Sequence, residues 1–207
     1  MIIVHHLENS RSQRILWLLE ELRLDYEIKH YKRDPRTMRA PRALKKVHPL
    51  GKAPILQEDA VILAESGAIF EHFVQTEKRF GPPRDLHDAR RYRLYMHYAE
   101  GSLMPPLFAM LVVNKLGLLG RPARKPIMKM LHEHFVYLDE DMADRPYFAG
   151  DQLTAADMMM SFPLEAARSR AGLDERYPNL LAWLRRCHER PAYQRALERG
   201  GDYAYAG

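Results

Sequence analysis

Cysteine is nearly absent from this 207-residue chain: Cys187 stands alone. One thiol excludes an intramolecular disulfide and a cysteine-only metal site. Long apolar runs are missing as well. The longest uncharged stretch, Gly101 to Asn114, is too short to span a bilayer and contains Pro105-Pro106. Nothing reads as a secretory leader, because Glu8, Arg11, Arg14 and Glu20 fall where an apolar core is needed. The ten histidines show no ligand spacing, and adjacent His5 and His6 in a strand point to opposite faces, so no metal is expected. A net charge of +5 is modest and lacks the clustered groove of a nucleic-acid binder; the arginines between Arg84 and Arg93 are the weakest ground for one. A cytoplasmic protein without membrane or nucleic-acid partners is expected. A hydrophobic share of 46% is ordinary for a globular chain with a core.

What is present divides in two. The first 75 or so residues alternate: an apolar strand at 2–5, a helical pattern at 11–23, an alternating strand at 26–31, two short strands at 54–57 and 61–63, and a helix at 65–75. That order, βαβ then ββα, predicts a small mixed sheet covered by helices. Gly81-Pro82-Pro83 breaks the pattern. Beyond it only helical periodicities follow, at 90–117, 126–142, 154–168, 179–188 and 192–199, the first of them kinked or broken by the proline pair. The expected fold is an α/β N-terminal domain over 1–77, a linker over 78–88 and an all-α domain over 89–207, ending in a poorly structured tail, GGDYAYAG.

Three features of the first domain carry chemistry. The segment ENSRSQRILWLLEEL, Glu8 to Leu22, opens a helix on a hydroxyl-rich turn. Free N–H groups and the positive end of the dipole gather at such a helix start and hold an anion. The plain alternative is a capping box formed by Ser10 and Gln13, with Ile15, Leu18, Leu19 and Leu22 as the one buried face. The second feature is HPLGKAPIL. A cis bond before Pro54 turns the N–H and C=O of Ala53 outward to pair with an extended peptide, against the plain reading of a loop entering an edge strand. The third is Glu65-Ser66 at a helix start, able to hold an ammonium and a carboxylate, or simply a cap beside a solvated acid. The seven Lys and Arg residues between Lys32 and Lys46 face a single Asp and read as anion steering or as solvated surface.

Together these motifs match a peptide with a thiol, an extended backbone and a free α-amino acid end. With SRSQR, GKAPIL, Glu65-Ser66 and LTAAD in this order, the chain resembles a glutathione S-transferase of the bacterial, serine type, in the theta- and zeta-like part of the cytosolic superfamily. The resemblance implies a thioredoxin-like first domain and an activity that conjugates the glutathione thiolate to a hydrophobic electrophile. Glutathione-dependent peroxidase activity and a non-catalytic binding subunit on the same scaffold are the alternatives. It implies Ser10 as the sulfur partner, with Ser12 and Asn9 still open and Arg11 assisting. Ala53 and Pro54 then match the backbone site for the cysteinyl part, Glu65 and Ser66 the γ-glutamyl end, and Lys52 the glycine carboxylate. Thr154 and Asp157 match a structural capping box. The electrophile is expected where Leu7 and Glu8 meet Tyr95, Tyr98, Ser102 and Met104, and a homodimer is implied.

Overall fold

Strand β1 (Ile2–Leu7) and strand β2 (Tyr26–Tyr31) pair in parallel, with Val4 opposite Ile28. Strands β3 (Ile55–Glu58) and β4 (Val61–Ala64) form an antiparallel hairpin on the other side of β1, giving the order β2-β1-β3-β4. This computed structural model describes residues 1–206. The expected sheet is present, with β3 starting one residue late because Pro54 has no N–H for the ladder. Helix α1 (Ser12–Leu22) crosses between β1 and β2, and α2 (Ser66–Glu77) follows β4.

The expectation of a single buried face on α1 fails, since all eleven of its residues are buried, Arg14, Glu20 and Glu21 included. The cause is helix α8 (Pro191–Gly200), which returns to lie along α1. Arg195 and Arg199 donate to Glu20 at 2.8 and 2.9 Å, and Arg190 donates to Glu21 at 2.9 Å. Burial alone pushes the Glu20 carboxyl up, but Arg195, Tyr26 and Arg199 donate to it and hold it below the usual carboxylate range. Tyr193 meets Trp17 edge-on at 5.3 Å. Gly200 permits this approach: a Cβ there would lie 2.6 Å from Gln13 Oε1 and 2.9 Å from Leu16 Cδ1.

The expected boundaries are corrected accordingly. One compact unit joins Met1–Gly81 to the segment beginning at His188, and the other spans Pro82–Cys187. The last helix belongs with the sheet rather than with the helical domain. The tail is also placed: Ala204 N–H donates to Asn9 Oδ1 at 2.7 Å, and Tyr203 packs edge-on against Tyr205. Gly207, the end of the segment expected to be loose, lies outside the described residues.

The second unit holds α3 (Leu86–Tyr98), α4 (Met104–Lys115), α5 (Arg121–Asp141), α6 (Ala155–Arg170) and α7 (Pro178–His188). The proline pair sits in the first turn of α4, where missing N–H groups are harmless, and one π-helical segment, Ala99–Leu103, joins α3 to it. Cys187 is buried in this unit. Among the described residues no helix is long and apolar enough to cross a membrane.

Candidate functional site

The turn between β1 and α1 is fastened from several sides. Arg33 is the clamp: its N–H donates to the Glu8 carboxylate at 2.7 Å, and its guanidinium donates to the Glu8 and Asn9 carbonyls at 3.2 and 3.1 Å. The sequence hid this residue within a basic stretch that reads as anion steering or as solvated surface. Asn9 takes the left-handed conformation that Asn tolerates better than most residues, with φ at 50°. Its carbonyl and its side-chain oxygen are both engaged, the latter by Ala204, so Asn9 is a support of the turn.

Ser10 and Ser12 separate clearly. Ser12 Oγ is fully buried and contacts His6 Nδ1 at 2.9 Å, the Leu7 N–H at 3.2 Å and Ser10 Oγ at 2.8 Å. Ser10 is 6% exposed, and its Oγ accepts the Ser12 N–H at 3.2 Å. The helix therefore turns its first amides onto Ser10 itself: the Gln13 N–H also reaches the Ser10 carbonyl at 3.2 Å. An N–H donating to a hydroxyl oxygen polarises its O–H and makes it a stronger donor. The expected capping box is absent, because the Gln13 side chain instead donates to the Ala196 carbonyl at 2.9 Å. Arg11 takes the N-cap position of α1 without a side-chain cap bond.

His6 was not among the sequence candidates. Burial pushes its imidazole down to about 4, with His30 beside it adding repulsion and a hydrogen bond to the Gly200 backbone opposing, so the ring is neutral near pH 7. Nδ1 of this neutral ring lies 2.9 Å from Ser12 Oγ, and the tautomer decides which of the two donates. Ser12 Oγ is enclosed by His6, Ser10 and the N–H and carbonyl of Leu7, whereas Ser10 keeps 6% exposure.

The peptide bond between Ala53 and Pro54 is cis, and Ala53 lies just outside the β3 ladder, half-buried, beside exposed Lys52. At the head of α2, Glu65 is exposed with φ at 71° and ψ at 123°, a conformation that a non-glycine residue holds at about 1–3 kcal/mol. Ser66 beside it is buried, yet its Oγ has no hydrogen-bond partner. A buried hydroxyl left unpaired fits a site that a polar ligand group completes.

In the second unit, Tyr95 is corrected from a ligand contact to core. It is fully buried, and its hydroxyl donates to Asp141, which also accepts from Arg91 at 2.7 Å. Burial pushes the Asp141 carboxyl up, but Arg91 and Tyr95 outweigh it and hold the group low. Met104 is buried, and so is Leu7 in the first unit. Tyr98 and Ser102 are half-buried and line a hollow of about 440 Å³ with Arg93, Leu94, His97 and Gly101. Tyr98 hydrogen-bonds to His134. Among the described residues the ligand atoms of Asp85, His87 and Asp88 converge within 4.8 Å, but Asp85 caps α3 by accepting the Asp88 N–H.

Residues 1–75 match the family model described as glutathione S-transferase, N-terminal domain, and residues 121–186 match glutathione S-transferase, C-terminal domain. Glutathione S-transferase 3 of Schizosaccharomyces pombe is 39% identical over 98% of this chain and 89% of its own length. Glutathione S-transferase 1 of Saccharomyces cerevisiae is 36% identical over 96% of this chain and 95% of its own. The crystal structure of a glutathione S-transferase from Actinobacillus pleuropneumoniae superposes with a TM-score of 0.89 at 34% identity, covering 100% of this chain and 96% of that one. With both domain models matched in order and relatives of this identity along nearly the whole length, the chain belongs to the glutathione S-transferase family.

Proposed function

We propose that this enzyme conjugates glutathione to a hydrophobic electrophile as a serine-type transferase, with Ser10 donating its hydroxyl proton to the thiolate. The observation that carries this is the pair of serines: Ser12 is fully buried and enclosed by His6, Leu7 and Ser10, while Ser10 stands at the head of α1, 6% exposed, with the Ser12 N–H polarising its hydroxyl. The magnitudes are adequate. A thiol of pKa about 8.5 brought down by two units needs about 2.7 kcal/mol of preferential thiolate stabilisation. A hydroxyl donating to an anion contributes about 1.5–3 kcal/mol, and the helix dipole about 0.3–1 kcal/mol.

In this reading the backbone of Ala53 pairs with the cysteinyl part. Ser66 Oγ gains the partner it otherwise lacks, from the γ-glutamyl carboxylate, while Glu65 receives its ammonium and Lys52 the glycine carboxylate. Arg11 adds positive charge near the sulfur. Tyr98 and Ser102 are the proposed contacts of the electrophile. No step calls on a metal.

The test compares wild type with Ser10→Ala and Ser12→Ala on an aryl halide with glutathione near pH 6.5. Ser10→Ala should lower kcat by about 10- to 100-fold, the loss expected for one charge-assisted hydrogen bond. Full activity in Ser10→Ala together with a dead Ser12→Ala would move the sulfur partner to Ser12. A hydroperoxide in place of the aryl halide reads the peroxidase alternative, which uses the same thiolate. The reading includes a cytoplasmic homodimer; sedimentation at the mass of one 24.2 kDa chain would reject the dimer.

A further inference from the structure

Ser10 lies between two tethers, and both run to one segment far away in the chain. On its N-terminal side, Asn9 Oδ1 accepts the Ala204 N–H at 2.7 Å. On its C-terminal side, Ser12 Oγ meets His6 Nδ1 at 2.9 Å, and the same ring is bonded to the Gly200 backbone. A third bond, from Gln13 Nε2 to the Ala196 carbonyl at 2.9 Å, fixes the first turn of α1 to the same helix. From these contacts we infer that the C-terminal segment from Gly200 to Ala204 is a positioning element of the sulfur site: Asn9 and Ala204 hold Ser10 at the place from which its hydroxyl reaches the thiolate.

The inference rests on Ser10 as the sulfur partner. It gives Asn9 a role apart from ligand binding, since its side-chain oxygen is engaged by the tail. Displacement of a catalytic donor by about 1 Å, caused by a change away from the chemistry, lowers rates by as much as 10²-fold. The backbone about Asn9 is held by Arg33 on the Glu8 and Asn9 carbonyls and by the Gln13 N–H on the Ser10 carbonyl, while the Ala204 N–H holds the Asn9 side chain. Losing the Ala204 bond leaves the side chain of a left-handed residue unheld, one position before Ser10.

Two full-length variants cut the same bond from opposite ends. Asn9→Gly removes the acceptor and keeps a residue suited to positive φ, and Ala204→Pro removes the N–H. The charged groups about the turn stay as they are in both: Glu8, Arg11, Arg33, and the neutral His6 with His30 beside it. The readout is the apparent pKa of bound glutathione, from thiolate absorbance against pH, with kcat, KM and thermal midpoint measured alongside. Each variant should raise that pKa by about one unit and lower kcat near pH 6.5 by about tenfold, with KM for glutathione within about twofold. The double variant should lose no more than either single one, because both remove one bond.

Loss in Asn9→Gly with none in Ala204→Pro would mean that Asn9 touches the ligand directly and would overturn the role of the tail. A lowered thermal midpoint with an unchanged pH profile would reduce the segment to a structural one and overturn it equally. If wild type binds glutathione with its thiol at the solution pKa, the reading of Ser10 falls, and this inference falls with it.

Discussion

Asp157→Ala should destabilise the chain by about 4 kcal/mol, a large share of the 5–15 kcal/mol that holds a typical domain together. Asp157 has no exposed surface and accepts four hydrogen bonds: from the N–H groups of Phe148 and Thr154 at 2.9 Å each, from Thr154 Oγ1 at 2.9 Å and from Trp183 Nε1 at 3.1 Å. Burial pushes its carboxyl up, and these donors oppose that. Truncation strands three buried N–H donors, at about 1–3 kcal/mol each, one of them the N-cap amide of α6 on Thr154. The individual losses overlap, so the total lies below their sum. The thermal midpoint should fall by about 8–16 °C. Asp157→Asn keeps one acceptor but turns an amide N–H₂ toward donors, so it should recover little. A measured loss under about 1 kcal/mol would show that water or neighbouring carbonyls take over these donors.

The second large effect is a loss of stability in mild acid. His6 falls from 6.5 to about 4 on folding because burial disfavours the imidazolium, with His30 adding to the effect. The sign follows directly. Below pH 6.5 the unfolded chain binds a proton that the folded chain refuses, so stability falls as pH drops from 6.5 toward 4. The loss from this one ring reaches about 2 kcal/mol at pH 5 and about 3 kcal/mol at pH 4. His5, lowered chiefly by burial, adds in the same direction. Glu20 and Asp141 contribute only further down: each carboxyl is held below its ordinary value, so their stabilisation is whole above that value and is lost as pH falls through the lowered one. Urea denaturation of wild type at pH 7 and pH 5 should reveal the fall, and His6→Phe should flatten it. Equal stability at the two pH values in wild type would mean that His6 takes up its proton in the folded state.

The sheet and its helices were legible because each depends on local periodicity. Strands β1 and β2 pair in parallel as the βαβ order implied. Pro105-Pro106 falls at the start of α4, directly after the π-helical segment and inside the long helical pattern it was expected to kink or break. The turn, the Ala53-Pro54 bond and the Glu65-Ser66 pair were found by their order and spacing. The rest depended on contacts that local pattern does not encode. Periodicity announces a helix at 192–199 but not which core it meets, so the pairing of α8 with α1 was not foreseen. A clue was present: Glu20-Glu21 and Arg190, Arg195 and Arg199 are complementary charges on two helical patterns. Gln13 three residues after Ser10 looks like a capping box until Ala196, 183 residues away, supplies a better partner. Ser10 and Ser12 differ in burial and in the His6 ring beside Ser12, which nothing in the spacing of two serines reveals.

Because the sheet unit is completed by a segment that follows the whole of Pro82–Cys187, the helical unit is in effect an insertion within it. During synthesis β1, α1 and β2 emerge with Glu20, Glu21 and Gln13 still uncovered, and they wait for α8. The helical unit has all of its own residues first and can close around Asp157 independently. Its closure shortens the span that the returning segment must bridge, and so lowers the loop entropy opposing that return. The sheet unit, which begins the chain, thus receives its last helix only after every residue of the helical unit.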